Sequence, residues 1–247
     1  ILMSAPLEVI ELSKIYNKKE AVKNISFKIN RNETIGILGP NGCGKTTTIG
    51  MILGLLKPSK GRVLINGISI ENKREELLDN LNFISPYIEL PKKLSVKQNL
   101  DVYGRLYGVN NLENRIQEIS EDLKLTNFLN KKTGELSSGQ KNRVSLAKSL
   151  INKPELLFLD EPTASLDPDV GDFVRQYLEK YKVNNKITIL LASHNMSEVE
   201  RLCDNVVMMK SGKIVDHGTC NQLIEKHGRN NLEETFLKIA RSNDELE

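Results

Sequence analysis

Cysteine is scarce in this sequence. Only Cys43, Cys203 and Cys220 occur in 247 residues, too few and too widely spaced for a disulfide framework or a zinc site. Small secreted domains that depend on disulfides are therefore excluded as a class. The scarcity favours a reduced, cytoplasmic location.

Long apolar runs are also missing. No stretch approaches the ~18 residues that a membrane-spanning helix needs, and no secretory signal pattern is recognisable. We therefore expect that these residues do not themselves cross a bilayer. The composition, 39% hydrophobic and 27% charged, is ordinary for a globular protein, and the length allows a sizeable core.

Positive charge is not clustered. The formal net charge is +3, and the lysine pairs at 18–19, 92–93 and 131–132 stand apart from one another. A nucleic-acid-binding surface usually carries a denser basic face with aromatic residues between the charges. We interpret the pairs as solvated surface charge and expect no nucleic-acid partner.

The hydrophobic pattern predicts both strands and helices. Strands are expected at residues 7–16, 21–30, 33–40, 61–70, 155–160, 187–193 and 206–218. Helices are expected at 46–56 and 231–240, and residues 92–151 are helical in pattern and broken by loops. Turns are expected within 17–20 and, as hairpins, about Asn66-Gly67 and Ser211-Gly212. The pattern indicates a strand-and-helix core with buried parallel strands, interrupted by a helical insertion.

A glycine-rich motif stands between an apolar strand and a helix. GPNGCGKTT spans residues 39–47, in the strand-before, helix-after context that a phosphate-binding loop requires. Its glycines leave backbone N–H groups free to wrap a phosphate, and the helix directs its positive end at the same anion. Lys45 adds charge for the β- and γ-phosphates, and the Thr46 hydroxyl is a candidate Mg²⁺ ligand. The predicted nucleotide-binding residues here are Gly39, Pro40, Asn41, Gly42, Cys43, Gly44, Lys45, Thr46 and Thr47.

Two adjacent carboxylates end another apolar strand. In ELLFLDEP, residues 155–162, Asp160 emerges at the carboxyl end of the strand, where open α/β sheets bind ligands. We expect Asp160 to hold Mg²⁺, directly or through water. Glu161 follows, and its carboxylate could orient or deprotonate a water molecule. These motifs alone leave a kinase, a GTPase or a motor ATPase open.

The motif LSSGQ at 136–140 narrows the choice. It resembles the signature of ABC-type ATPases, and it precedes a predicted helix. The order of the motifs is similar to that family throughout: Tyr16, the loop at 39–47, LSSGQ, LLFLDEP, SLD at 165–167, and His194 after a strand. No Asn-Lys-x-Asp motif for reading guanine is present, which disfavours a GTPase. The resemblance covers about residues 7–218, with a weaker echo to residue 240.

The resemblance implies a fold and a division of roles. The expected fold is α/β: a P-loop NTPase (RecA-like) core with an antiparallel β subdomain and an inserted α-helical subdomain. We expect a single domain over 1–220, with its core at about 1–86 and 152–220 and the helical subdomain at about 87–151, and a helical extension over 221–247. The cofactors implied are ATP and Mg²⁺.

The family's site residues carry over by position. Tyr16 is expected to stack on adenine, with a core-packing tyrosine as the alternative, and His194 to contact the γ-phosphate. Catalysis is assigned to Glu161, His194 and Lys45. In the family a second cassette binds head to tail, and its signature caps the nucleotide, a role that falls here to Ser137, Gly139 and Gln140. Asp167 is expected at the seam between the two cassettes. Ser138 stands where the family more often has glycine, a mild variation.

Pro86 departs from the family pattern. The stretch LSVKQNL at 94–100 aligns Pro86 with a glutamine that in the family reaches Mg²⁺ or the attacking water. Three interpretations stay open: the register differs by a residue or two, Ser85 or a water molecule substitutes, or the site is slower and the loop keeps only its docking role. Hydrolysis is still expected, because the other catalytic residues are present.

The sequence therefore predicts the ATP-binding subunit of an ABC transporter. We expect a homo- or heterodimer that hydrolyses ATP and powers a separate integral membrane subunit, which docks near the loop at 85–100. The expected location is cytoplasmic, peripheral on the inner face of the membrane. Residues 134–168 and 192–219 look most like bacterial exporter-type subunits. The alternative is a soluble ABC ATPase that acts on nucleic acid or ribosomes; a P-loop kinase would lack LSSGQ and the trailing histidine.

Overall fold

The computed structural model describes residues 4–85 and 88–241. The loop residues Pro86 and Tyr87, on which part of the predicted turn falls, lie outside the described residues. The chain forms two compact units, one made of Ile1–Leu78 with Thr188–Glu247 and the other of Asp79–Ile187. The predicted domain boundaries stay a prediction.

Ten strands and nine α-helices are assigned in the described residues. The first unit opens with β1 (Leu7–Tyr16), β2 (Lys19–Ile29), β3 (Thr34–Leu38), α1 (Lys45–Ile52), β4 (Lys60–Ile65), β5 (Ile68–Ser69) and α2 (Arg74–Leu78). The second unit holds β6 (Leu81–Ile84), α3 (Val96–Leu106), α4 (Leu112–Asp122), α5 (Ser138–Leu150), β7 (Leu156–Asp160) and α6 (Pro168–Asn185). The first unit resumes with β8 (Thr188–Ala192), α7 (Met196–Leu202), β9 (Asn205–Lys210), β10 (Lys213–Gly218), α8 (Cys220–His227) and α9 (Leu232–Arg241).

The first unit contains the predicted antiparallel sheet. Its strand order is β2-β1-β4-β5, and Tyr16 pairs with Lys19. The turn is therefore tighter than the predicted span of 17–20, because Asn17 and Lys18 alone make it, with φ of 45° and 69°. Positive φ at both central residues gives a turn whose twist matches that of the flanking strands.

The first unit also contains buried parallel strands, as predicted. β3 lies between β8 and β9 and is parallel to both, and β9 makes an antiparallel hairpin with β10 about Ser211-Gly212. All five residues of β3 and all five of β8 are buried. A strand that is covered on both faces reads as a continuous apolar run, which is why the sequence indicated it.

Helix α1 is shorter than the sequence indicated. The apolar spacing runs to residue 56, but the helix ends at Ile52. Gly54 has φ of 66°, a left-handed conformation that commonly ends helices at glycine. The N–H groups of Leu55 and Leu56 then donate to the Gly50 carbonyl at 2.9 and 3.0 Å. The last apolar residues thus fold back on the helix instead of extending it.

The second unit is mainly helical between its two strands. β6 and β7 are parallel, with Leu81 opposite Leu156, and α3, α4 and α5 occupy the segment predicted to be helical. Helix α6 was not predicted, although Asp167 is its N-cap and Pro168 its first residue, both common helix-start signals. The short helices α2 and α7 were not predicted either. Within the described residues, no helix is both long and apolar enough to span a membrane.

Helix α8 is anchored to the edge strand β10. The Asp216 carboxylate, whose side chain is 6% exposed, accepts a hydrogen bond from Lys226 Nζ at 2.7 Å and lies 2.7 Å from His227 Nε2. Burial raises the pKa of Asp216, but the hydrogen bonds from Lys226 and His227 outweigh it and hold that pKa below its usual value. One buried carboxylate therefore fixes α8 to the sheet.

The Asp216 contact predicts a pH-dependent contribution to stability. We expect Asp216→Asn to lower the free energy of unfolding by about 1.5–3 kcal/mol at neutral pH, because hydrogen bonds to a charged group are lost. A lowered pKa in the folded state means that the carboxylate stabilises the fold above its unfolded pKa of about 3.9. This contribution is lost as the pH falls through the folded pKa.

Urea unfolding of the wild type and the variant between pH 3 and pH 7 measures this difference. Glu225→Gln, on the exposed face of the same helix, is the matched control and should change little. A difference between the Asp216 proteins that does not shrink in acid would contradict the assignment.

Candidate functional site

The phosphate-binding loop joins β3 to α1 and depends on glycine. Gly44 is the N-cap of α1 with φ of 110°, and no side chain caps the helix there. A Cβ at Gly44 would lie 2.7 Å from the Ala21 carbonyl oxygen, closer than packing allows. Gly42 has φ of 77°, with open space where a Cβ would be. The first N–H groups of α1 are thus left for an anionic ligand.

Lys45 is held against its own loop. Its Nζ donates to the carbonyl oxygens of Gly39 at 2.5 Å and Pro40 at 3.3 Å, and the Cys43 N–H donates to the same Pro40 oxygen at 3.2 Å. These bonds curl the loop around the ammonium group. The exposed Thr46 hydroxyl lies in the first turn of the helix.

Cys43 is buried within this loop and packs against Gly39. The residue is 3% exposed, and a Cβ on Gly39 would lie 2.3 Å from the Cys43 sulfur. Burial raises the pKa of the thiol, against the opposing charge of Lys45. The thiol is therefore a poor nucleophile at neutral pH, because the thiolate is the reactive form.

Tyr16 is exposed at the end of β1. The residue is 43% exposed, so it is not buried in the core, and its contact with adenine stays a prediction. Lys14 Nζ lies 5.1 Å from the centroid of the ring and also donates to the Lys57 carbonyl at 2.6 Å. A cation over one face leaves an amphipathic ring that can stack through the other. The sequence analysis did not predict a role for Lys14. Its position two residues before Tyr16 on a strand, where both side chains are on the same face, could have indicated one.

The carboxylates of the second unit follow β7. Asp160 ends the strand half-exposed, and the Ser85 hydroxyl, one residue after β6, donates to Asp160 Oδ2 at 3.2 Å. Glu161 has φ of 51°, a strained conformation for a residue other than glycine. It lines a groove of about 220 Å³, whose other lining residues include Ser85, Asn142 and Ser165.

Helix α5 begins inside the signature motif. Ser137 is its N-cap: the Ser137 hydroxyl accepts from the Gln140 N–H at 3.3 Å, and the Ser137 N–H donates to Gln140 Oε1 at 3.0 Å. The helix thus begins at Ser138, inside the motif that was expected to precede it. Ser137 is exposed, and its hydroxyl retains a proton to donate. A Cβ on Gly139 would lie 3.1 Å from Val170, so α5 and α6 approach closely here.

His194 and Asp167 each lie at an exposed element end. His194 follows β8, where the buried Ser193 hydroxyl donates to Glu198 at 2.6 Å and accepts from the Asn195 N–H at 3.1 Å. This turn fixes the backbone on both sides of the histidine. Asp167 is the N-cap of α6. Ser193 and Glu198 were missed from the sequence, where a serine and a glutamate of a helix start read as surface residues.

The predicted site residues divide between the two units. The first unit holds Tyr16, His194 and the phosphate-binding loop, and the second holds the carboxylates and the signature. The structure brings together Lys45 with the loop carbonyls, Ser85 with Asp160, and Ser137 with Gln140. In the described residues no cluster of three or more histidine, cysteine, aspartate or glutamate side chains could hold a metal.

Comparisons with known proteins identify relatives. Residues 22–164 match the family model described as ABC transporter. The chain is 34% identical over 226 residues to the ABC transporter ATP-binding protein NatA of Bacillus subtilis, covering 90% of this chain and 92% of that protein. It is 34% identical over 222 residues to the Nod factor export ATP-binding protein I of Rhizobium etli, covering 89% and 70%.

Solved structures share the fold. An ATP-binding subunit of an ABC transporter matches with a TM-score of 0.88 and 27% identity, covering 96% of this chain and 99% of that one. A dimeric bacterial ABC transporter cassette, MJ0796, matches with a TM-score of 0.79 and 25% identity, covering 86% and 98%. The predicted α/β P-loop fold is confirmed.

Burial of Cys43 predicts slow chemical modification with a large effect. A bulky maleimide should label Cys43 slowly at pH 7, and the labelled protein should no longer bind ATP, because added volume displaces the backbone N–H groups of the loop. Bound ATP should protect the thiol. A variant with Cys203→Ala and Cys220→Ala isolates the reaction, and mass spectrometry with an ATP-binding assay measures both quantities. Full ATP binding after stoichiometric labelling of Cys43 would contradict the arrangement.

Proposed function

Since this chain belongs to the ABC transporter family as an ATP-binding and ATP-hydrolysing subunit, we propose that two such cassettes close around ATP and drive export through a separate membrane subunit. The observation that carries the proposal is a pair of helix N-termini suited to phosphate. One is α1, which has no side-chain cap, and the other is α5, whose N-cap hydroxyl is exposed. Both ends attract anions.

In this proposal the first unit supplies the phosphate-binding loop at 39–47, called the cradle below. The loop N–H groups and Lys45 hold the phosphates, after Lys45 exchanges its loop carbonyls for phosphate oxygens. Stacking of adenine on Tyr16 adds on the order of 1–3 kcal/mol to binding. The neighbouring Lys14 strengthens this contact by presenting its charge to the opposite face of the ring.

The residues present fit Mg²⁺. The exposed Thr46 hydroxyl and the half-exposed Asp160 carboxylate are the hard oxygen ligands that this ion prefers. When bound with ATP, the ion neutralises charge that develops on the phosphates. Because the Ser85 hydroxyl already donates to Asp160, we propose that Ser85 orients this carboxylate and takes over part of the role of the glutamine that Pro86 replaces.

Glu161 and His194 complete hydrolysis. Glu161, which follows β7 directly with φ of 51°, accepts the proton of the water that attacks the γ-phosphate. His194 contacts the γ-phosphate from a turn that Ser193 holds in place. Neither residue needs the missing glutamine for its own step.

The second cassette provides the cap. Its Ser137 hydroxyl and the N–H of its Gly139 donate to the γ-phosphate bound by the first cassette, while Gln140 holds the start of α5 through its bond to Ser137. Asp167, exposed at the start of α6, lies at the seam. ATP therefore holds the pair together, and cleavage of ATP separates it.

The membrane subunit docks on the second unit. The groove that Glu161 lines is bordered by Ile88, Glu89 and Leu90 from the loop at 85–100, and Ile88 is exposed. A partner helix seated there would touch the loop that begins at Ser85. Export as the direction rests on the Nod factor export relative, and the location that follows is cytoplasmic and peripheral to the membrane. The named relatives are transporter subunits, so the nucleic-acid alternative is not favoured.

Glu161→Gln tests the proposed function. The variant should bind ATP with unchanged affinity and hydrolyse it ~10²–10⁴-fold more slowly, because the general base is lost. Uncleaved ATP should then hold the protein as a dimer in gel filtration. Glu233→Gln, at an exposed position of α9, is the matched control and should keep the wild-type rate. A variant that stays monomeric with saturating ATP would rule out the proposed sandwich.

Ser85→Ala tests the role given to the loop. Loss of one hydrogen bond worth about 1 kcal/mol should raise the Mg²⁺ concentration for half-maximal ATPase activity roughly fivefold. The measurement is phosphate release as a function of Mg²⁺ concentration, with Ser145→Ala, from the same groove, as the control. An unchanged Mg²⁺ dependence in Ser85→Ala would show that Ser85 does not substitute for the glutamine.

A further inference from the structure

Lys148 is a buried lysine near the end of α5, the helix that begins inside the signature motif and is called the signature helix below. The residue is 8% exposed, and its Nζ donates to Asn82 Oδ1 and to the Phe83 carbonyl, both at 3.3 Å. In the described part of the chain, no carboxylate pairs with it. Buried lysines are usually paired with a carboxylate or kept neutral, because an isolated charge is costly to bury.

Two aromatic rings take the place of a carboxylate. Lys148 Nζ lies 5.0 Å from the ring centroid of Phe83 and 5.4 Å from that of Tyr103. The face of an aromatic ring attracts a cation, and the attraction is stronger where water is excluded. A neutral amine loses this attraction and is a weaker donor to the Phe83 carbonyl. The contacts therefore favour the charged form, although burial opposes it.

These contacts join the three elements α5, β6 and α3. Lys148 is on α5, which begins at the signature residue Ser137. Phe83 is on β6, two residues before Ser85, and Tyr103 is on α3, which follows the loop at 85–95. Asn82 adds a second link between α5 and β6, because its Nδ2 lies 3.5 Å from the Lys148 carbonyl and 3.0 Å from Asn152 Oδ1.

We propose that Lys148 is a positioning residue for ATP turnover, whose protonated side chain fixes the signature helix against the strand that leads to Ser85. The inference rests on the proposed function of Ser137 and Ser85. Lys148 itself touches neither nucleotide nor metal in this proposal. It sets the position of the helix whose start meets the phosphate and of the strand whose end meets Asp160.

The pH range in which this contact changes is accessible to experiment. Burial lowers the pKa of Lys148 to about 8, and Tyr103 is the one titratable group among its described contacts; β6 contributes an amide and a carbonyl. The unfolded state keeps the ordinary pKa of about 10.4. Between these values the unfolded chain binds more protons than the folded one, so this residue makes the fold more stable as the pH rises. Turnover should fall over the same range, since the charged contact is lost.

The test compares stability and turnover as functions of pH. The proteins are the wild type, Lys148→Met, which keeps the length of the side chain without its charge, and Lys148→Arg, which stays charged above pH 10. Lys180→Met, at an exposed position of α6, is the matched control. Thermal unfolding and the maximal ATPase rate are measured from pH 7 to pH 9.5 with saturating ATP and Mg²⁺.

We expect the wild-type rate to fall with a midpoint near pH 8, while its melting temperature rises relative to that of Lys148→Met. Lys148→Met should be folded, bind ATP normally and turn over about tenfold more slowly at pH 7.5, without the alkaline fall. Lys148→Arg should retain its rate at pH 9.5. If Lys148 had only a structural role, the ATPase rate and the melting temperature would change in the same direction with pH.

Two results would overturn the proposal: a Lys148→Met rate within twofold of the wild type at pH 7.5, or an alkaline fall that persists in that variant. If Lys148→Arg does not fold, the pH dependence of the wild-type ATPase rate still shows whether the rate falls in alkali. Failure of the proposed function is a separate outcome, because it would appear as wild-type protein that releases no phosphate above the level of Glu161→Gln.

Discussion

The unpaired N–H groups at the start of a helix are the constraint on which this molecule's chemistry depends. Helices α3, α5 and α8 each close their first turn with a capping box. Helix α1 does not, because its N-cap is Gly44, which has no side chain that could cap the helix. Helices α4 and α6 also lack a side-chain hydrogen bond at the N-cap, but their N-caps, Asn111 and Asp167, carry polar side chains. Leaving such groups without a partner is unfavourable away from water. The chain retains this arrangement where a phosphate would satisfy them.

The surrounding structure fixes the position of that helix start. β3 is buried along its whole length and brings the chain to Leu38. The close approach of the Ala21 carbonyl requires glycine at position 44, and Lys45 binds the loop carbonyls before it meets any ligand. The signature helix uses the same physics differently, since Ser137 caps one N–H group and keeps its hydroxyl proton for an external acceptor. In the proposed function, the start of α1 accepts the nucleotide, and the start of α5 in a second cassette caps it.

Sequence reasoning reached the site through local rules and missed what tertiary packing decides. Asn66-Gly67 and Ser211-Gly212 are turns because few other residue pairs adopt positive φ at both positions, and the loop before Lys45 follows from its glycines. Helix α6 was missed because only four of its 18 residues are buried, which leaves a narrow apolar stripe in a polar segment.

Lys148 shows more clearly what a local sequence pattern does not reveal. A lysine in a helix is normally interpreted as a surface residue, and nothing in the local pattern indicates that two rings and a carbonyl surround it. The hydrogen bond from Ser85 to Asp160 joins residues 75 positions apart. Such a contact depends on how β6 pairs with β7, which a single sequence does not reveal. The roles of the site residues in turnover stay predictions for the same reason, since they concern a bound nucleotide and a second cassette.

The central claim is that each ATP site is shared between two chains, and complementation tests it most directly. Lys45→Ala disables the cradle, and Ser137→Asp puts a negative charge where the phosphate would be capped while keeping a good N-cap residue. Each variant alone should release little phosphate. In a head-to-tail pair, the cradle of one chain meets the intact signature of the other, so an equal mixture should recover roughly a quarter of the wild-type rate from the two-fold geometry. A mixture of folded variants no more active than either one alone would contradict the account.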